Sequence, residues 1–141
     1  MKAFFDTSVL VAAFWGGHRD NPASIKLLGA ADKKRSACAM HTLAEVYATM
    51  TALPIRPMLP PEQVMLFVQE VRDRLTLVSL DESEYFETIQ QAAAAGFTSG
   101  RVYDALLLRC AAKAKAQTIY TWNLKHFQAV APEQAARIRT P

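Results

Sequence analysis

Cysteine is scarce in this chain. Its 141 residues include two, Cys38 and Cys110. Cys38 lies in the apolar stretch SACAM and Cys110 in the helical pattern LLLRCAA, so both read as small buried residues. Their number and spacing exclude a disulfide framework and a cysteine-ligated zinc site, and such usage fits a reducing cytoplasm. Long apolar runs are missing as well. The longest, residues 9–15, is too short to cross a bilayer. Lys2 is followed by only a few apolar residues before Asp6 interrupts them, which is no secretory signal. No membrane association is expected. There is no repeat, no low-complexity tract and no evident linker. Strong charge is absent too: the net charge is +3 and the pI is about 9.0. That excess is compatible with a nucleic-acid partner without requiring one. The one basic cluster, Lys33-Lys34-Arg35, reads as a solvated helix end where cations suit the dipole.

What the sequence does have is apolar residues, 51% of the total. At this length about two-thirds of the unfolded surface can be buried, so residues 1–141 are expected to form one domain that needs no cross-link. Residues 3–5 read as a short buried strand and 8–14 as an apolar helix. GGHRDNP is a turn by composition. Asn21 and Pro22 start a helix whose stripe is Ile25, Leu28 and Ala31, fading near Lys33. RSACA reads as a second strand and residues 40–50 as a helix. The proline-rich LPIRPMLPP leads to Pro61 at a first helical position. Val64, Phe67, Val71 and Leu75 then recur at helical spacing. LTLVSL reads as a third strand, and Asp81 as the N-cap of a helix running to about Ala95. GFTSGRV is a loop, residues 103–115 a helix, TIYTW a fourth strand and RIRTP a short fifth. Alternating strands and helices predict an α/β fold: a mainly parallel central sheet of four to five strands flanked by helices. Such sheets bind ligands beyond the carboxyl ends of their strands. Asp6 ends strand one and Asn123 follows strand four, so both can face one crevice.

Three carboxylates merit separate readings. Asp6, taken alone, is a helix cap, with Thr7 and Ser8 competing for that role. Glu45 lies opposite the apolar face of Leu43, Val46, Tyr47 and Met50, beside His41, Thr42 and Thr49. That pattern suits either a solvated face or the wall of a wet cleft. Asp104 shares a stripe with Leu107, Leu108 and Ala111, so it should face the sheet, where a bare charge is costly. Three acids in one crevice repel and raise at least one pKa. Mg²⁺ or Mn²⁺ relieves that repulsion and keeps several waters, and such a cation activates water for attack on a phosphodiester.

FFDTSVLVAAF, HTLAEVYATM, RVYDALLLRCA and IYTWNLKHF resemble, in order and spacing, the motifs of PIN-domain proteins. The resemblance runs from Ala3 to about Phe127, and the length is similar to that of VapC-type toxins of bacteria and archaea. It implies a PIN-like fold and an Mg²⁺- or Mn²⁺-dependent ribonuclease. Family acids map onto Asp6, Glu45 and Asp104, with Asp6 and Asp104 holding the metal and Glu45 reaching it directly or through water. Thr7 or Ser8 would orient a ligand or water. Asn123 stands where many members carry Asp or Asn, and suits a hydrogen bond to water or phosphate. His126 replaces an acid that some members carry before this phenylalanine, and reads as a surface histidine. The resemblance also implies an RNA substrate such as tRNA, a homodimer, and a cognate antitoxin. Trp15, Met58, Leu59, Met65 and Leu66 look like surplus apolar surface that would suit an antitoxin helix, a core or a homodimer contact. Arg19, Arg101 and Lys125 are placed to sit on the cleft rim.

Other classes fare less well. A catalytically weak RNA-binding or scaffold PIN module has only Asn123 and His126 in its favour. A receiver domain would want an acidic pair after strand one, and a haloacid-dehalogenase-like phosphatase would want Asp-x-Asp where this chain has Asp6-Thr7-Ser8.

Overall fold

The tripeptide AFF forms the middle strand of the sheet. In the computed structural model, which describes residues 1–141, β1 (Ala3–Phe5) pairs in parallel with β2 (Ser36–Ala39) on one side and with β4 (Thr118–Tyr120) on the other. β3 (Thr76–Val78) lies outside β2, and β5 (Ile138–Arg139) outside β4. The order is therefore β3-β2-β1-β4-β5, all parallel. Phe4 registers with Ala37 and Ile119, so every strand ends at the same edge. Strand order reverses at β1, with β2 to its one side and β4 to its other. A crevice opens at such a reversal.

The helices follow the strands: α1 (Thr7–Phe14), α2 (Asn21–Gly29), α3 (Thr42–Thr51), α4 (Pro61–Arg74), α5 (Glu82–Ala94), α6 (Arg101–Lys113) and α7 (Leu124–Val130), then a 3-10 helix (Pro132–Arg137). Successive strand residues point to opposite faces, and two cores result. Phe5 and Cys38 enter one with Leu10, Val46, Met50, Val64 and Val71. Phe4, Ala37 and Ala39 enter the other with Leu107, Leu108, Ala111, Ile119 and Phe127. With both faces covered, β1 and β2 have no solvated side, which is why AFF, and ACA after the buried Ser36, read as apolar runs. Phe4 and Phe5 are each almost fully buried, a contribution of about 1.5–3 kcal/mol apiece. Val64, Val71 and Leu75 are buried as their spacing predicts, and Phe67 stacks on Phe14 with centroids 4.8 Å apart. Both cysteines are buried and free. Burial pushes the Cys38 thiol up to about 12 and the Cys110 thiol up to about 11.

Several boundaries move. The third helix starts at Thr42, not residue 40: the Met40 N–H still bonds the Val78 carbonyl, at 2.8 Å, and so continues the pairing of β2 with β3. α2 stops at Gly29, so Lys33-Lys34-Arg35 is not a helix end. Asp32 builds a turn there, accepting from the Lys34 and Arg35 N–H groups at 2.9 and 3.0 Å. The stripe of α2 is also turned: Ser24 and Leu28 are buried while Ile25 is 53% exposed. On α3, Thr42 is buried and Tyr47 is exposed. Arg101 and Val102, read as loop, form the first turn of α6. Trp15 and Leu59 are partly buried against the first core, so they are not surplus surface, whereas Met58, Met65 and Leu66 are exposed.

Candidate active site

Asp6 sits at the carboxyl end of β1, with 3% of its surface exposed. It is the N-cap of α1, accepting from the Ser8 N–H, but at 3.4 Å. Its stronger bonds come from hydroxyls. Ser8 Oγ donates to Oδ2 at 2.7 Å and Thr121 Oγ1 donates to the same oxygen at 2.8 Å. Oδ1 accepts none of these. The two hydroxyls are themselves held: Ser8 Oγ accepts from the Trp122 N–H at 3.0 Å and Thr121 Oγ1 from the Asn123 N–H at 2.9 Å. The chain leaving β4 therefore locks the carboxylate leaving β1.

Glu45, on the first turn of α3, is the second acid. Thr7 Oγ1 donates to its Oε1 at 3.2 Å. Asp104 lies in the first turn of α6, with no hydrogen bond from the protein to fix it. Both acids, with Asp6, Thr7, Ser8 and Asn123, line one open cleft of about 480 Å³. Asn123 is exposed, and its side chain caps nothing although it precedes α7. The structure thus brings together all six residues that the sequence picked out. Arg19 is also on the cleft wall, and Lys125 is not.

The electrostatics of the three acids agree. Burial raises the pKa of Asp6 above the usual carboxylate range, against the pull of the Ser8 and Thr121 hydroxyls. Burial also raises Glu45, and the charges of Asp6 and Asp104 push the same way against His41 and the Thr7 hydroxyl. Asp104 is raised by burial and by Asp6, with His126 and Arg101 opposing. His126 is solvent-exposed, as expected, yet near enough to Asp104 to act on its charge. None of the three acids forms an ion pair within the chain.

Sequence reasoning missed Thr121, His18 and Asp20. Thr121 is fully buried one residue past β4 and holds Asp6. A lone threonine closing an apolar strand was its only signal. His18 and Asp20 line the cleft from a stretch that reads as a plain turn. The Asp20 N–H donates to His18 Nδ1 at 3.0 Å, so the neutral ring carries its proton on Nε2.

Comparison with known proteins gives a consistent picture. The family model for the PIN domain matches residues 3–131. The chain belongs to the PIN-domain family. No curated protein matches this PIN domain. Among solved structures it is similar to the Mycobacterium tuberculosis toxin VapC20, which cleaves the sarcin-ricin loop. That match has a TM-score of 0.73 at 13% identity, covering 91% of this chain and 95% of the toxin. It is also similar to chains in two toxin-antitoxin complexes. VapBC2 of Rickettsia felis, bound to a fragment of promoter DNA, gives a TM-score of 0.66 at 19% identity. A complex from Klebsiella pneumoniae gives 0.67 at 18%. Both alignments cover 99% of this chain and 98% of the other. At these identities the likeness is one of fold, and the all-parallel five-stranded sheet of this PIN domain is that fold.

The donor set also bears on which ion would suit this PIN domain. No three His, Cys, Asp or Glu side chains stand close enough to cage a metal unaided. The cleft offers mainly carboxylates and hydroxyls, one imidazole from His18, and no thiol. That oxygen-rich set fits a hard cation which keeps most of its waters and needs only one or two carboxylates.

Proposed function

We propose that this PIN domain, residues 1–141 as one domain, is an endoribonuclease that hydrolyses RNA phosphodiester bonds with Mg²⁺ or Mn²⁺. The observation that carries the reading is the trio Asp6, Glu45 and Asp104. They line one cleft, burial raises all three, against the pull of His41 on Glu45 and of His126 and Arg101 on Asp104, and none is paired with a protein cation. Three raised acids in one cleft with no directly paired cation suit a site that receives one. Asp6 and Asp104 would hold the cation, with Glu45 reaching it directly or through water. When bound, it would polarise the scissile phosphate and acidify a water for in-line attack.

The chain's own residues do the rest. Ser8 and Thr121 hold Asp6 through Oδ2, so its other oxygen keeps one direction. Thr7 holds Glu45 in place. Asn123 and Arg19 offer donors to phosphate oxygens from the rim. His18, with its proton on Nε2, offers another. The similar toxin structures support a role as the toxin of a VapBC-type pair with a cognate antitoxin; a homodimeric state and a cytoplasmic site of action belong to the same proposal. No helix of this chain is long and apolar enough to cross a membrane.

The test is cleavage of end-labelled total RNA by the purified chain, with EDTA and then with Mg²⁺ or Mn²⁺ restored. Cleavage should stop in EDTA and return with the ion. Cleavage that continues in EDTA would sink the metal-dependent reading. Growth arrest on induced expression, absent in an Asp6→Asn variant, tests the toxin role.

A further inference from the structure

A second hollow adjoins the acidic cleft. It has about 250 Å³ and opens at the carboxyl ends of β2 and β3, where Ala39 and Val78 stop. Its walls are rings: His41, Tyr85 and Tyr103. Leu106 and Leu107 form an apolar floor, and Ser79 adds a hydroxyl. Leu107 lines both hollows, so the two adjoin there. His41 and Tyr103 lie nearly parallel, 12° apart, with centroids 6.1 Å apart. Tyr103 immediately precedes Asp104, and His41 is four residues before Glu45. Each ring is therefore tied by its helix to one of the cleft's carboxylates.

Tyr103 is 52% exposed and Tyr85 is 47% exposed. Large rings left half in water beside a concave apolar floor are the features with which proteins hold a single unstacked nucleobase. The spacing agrees. Adjacent strands lie about 4.8 Å apart, so the hollow between β2 and β3 is roughly 5–10 Å from the end of β1. A base reaches that far from the phosphate to which its own sugar is joined. We infer that this hollow takes one base of the RNA, adjoining the phosphate held in the acidic cleft, with Tyr103 as its stacking platform. Tyr103 is then a specificity-determining residue.

The inference rests on the ribonuclease reading, and its test separates the two. A short single-stranded RNA with 2-aminopurine at successive positions is titrated with the full chain in EDTA, where binding is read without cleavage. Quenching is expected at one position. Tyr103→Ala should abolish it and weaken binding about 10-fold, while Tyr103→Phe retains both. With Mg²⁺ restored, Tyr103→Ala should raise KM by a similar factor with little change in kcat. Quenching by a wild-type chain that cuts no RNA would support the base site and remove the ribonuclease reading. Cleavage by Tyr103→Ala with unchanged KM would leave the ribonuclease reading intact and overturn the base site. Loss of a dimer in Tyr103→Ala, seen by sedimentation with quenching unchanged, would assign the rings to a second copy of the chain and also overturn it.

Discussion

Asp6 and Asp81 occupy the same local position and do opposite things. Each follows a strand and precedes a helix, and their backbones nearly coincide, at φ −75° and ψ 156° against φ −74° and ψ 175°. Asp81 is exposed and makes a complete capping box: its Oδ1 accepts from the Glu84 N–H at 2.8 Å, and Glu84 accepts from the Asp81 N–H at 2.9 Å. Lys113 Nζ stands 2.6 Å from Glu84, which is held below the usual carboxylate range by these contacts. Asp6 is buried, caps its helix at a poor 3.4 Å, and has hydroxyls where Asp81 has a nearby cation. A carboxylate that serves a helix is cheap to keep and sits in water. One that is buried without a counter-charge costs stability, and its place in the fold needs another reason.

The largest effect expected of that difference is on activity. Asp6→Asn or Asp104→Asn should reduce Mg²⁺-dependent RNA cleavage by about 100–1,000-fold or more, at unchanged far-ultraviolet circular dichroism. Asp81→Asn should leave the rate untouched. Equal losses at Asp6 and Asp81 would mean that helix stability alone was being measured.

Much of this contrast was legible in the sequence, and its limits have physical causes. The order of strands and helices follows from apolar runs and periodicity, because both faces of a parallel sheet are covered. The three acids could be picked out by residue type and by their place at strand and helix ends. The face of Glu45 could not be settled. A helical wheel gives the direction of a side chain but not what lies opposite, and here it is a cleft, not bulk water. Ile25 was misplaced for a related reason. Ser24 takes the buried position on α2 because its Oγ accepts from Trp122 Nε1 at 2.8 Å, a partner 98 residues away. Thr121 could not be recognised either, since its role depends on β4 pairing with β1. Contacts made across the sheet leave no local pattern.

Thr121 gives the next effect in size. Thr121→Val keeps the volume and removes the donor to Asp6 Oδ2. We expect a 10–100-fold loss of metal affinity or cleavage rate, read by titrating Mg²⁺ in the cleavage assay. A similar loss at saturating Mg²⁺ would place the defect in orientation of Asp6 and not in affinity. An unchanged Mg²⁺ dependence and rate would show that Ser8 alone suffices.

Stability should move the other way at Asp6. Its pKa is raised in the folded protein, so the folded state binds a proton more readily than the unfolded one. In EDTA the wild-type chain should therefore be more stable at mildly acidic pH, and lose that stability as pH rises past the ordinary carboxylate range toward the folded value. Asp6→Asn should flatten this slope and raise Tm at neutral pH by a few degrees. Mg²⁺ should raise the wild-type Tm and leave that of the variant almost unchanged. A variant less stable than wild type at neutral pH in EDTA would show that the charge is not a cost.

The smallest effect belongs to the cap. Asp81→Ala removes the side-chain half of the box on α5 and should destabilise the chain by about 1 kcal/mol, measured by urea denaturation with unchanged m-value. Glu84→Gln removes the charged half, and its cost should shrink in acid. Glu84 is held below the usual carboxylate range, so its contribution is present above the ordinary value and lost as pH falls through the lowered one. The sign is the reverse of that at Asp6, where acid adds stability. Opposite pH slopes for Asp6→Asn and Glu84→Gln in one protein would separate a carboxylate kept for a ligand from one kept for a helix, without any assay of function.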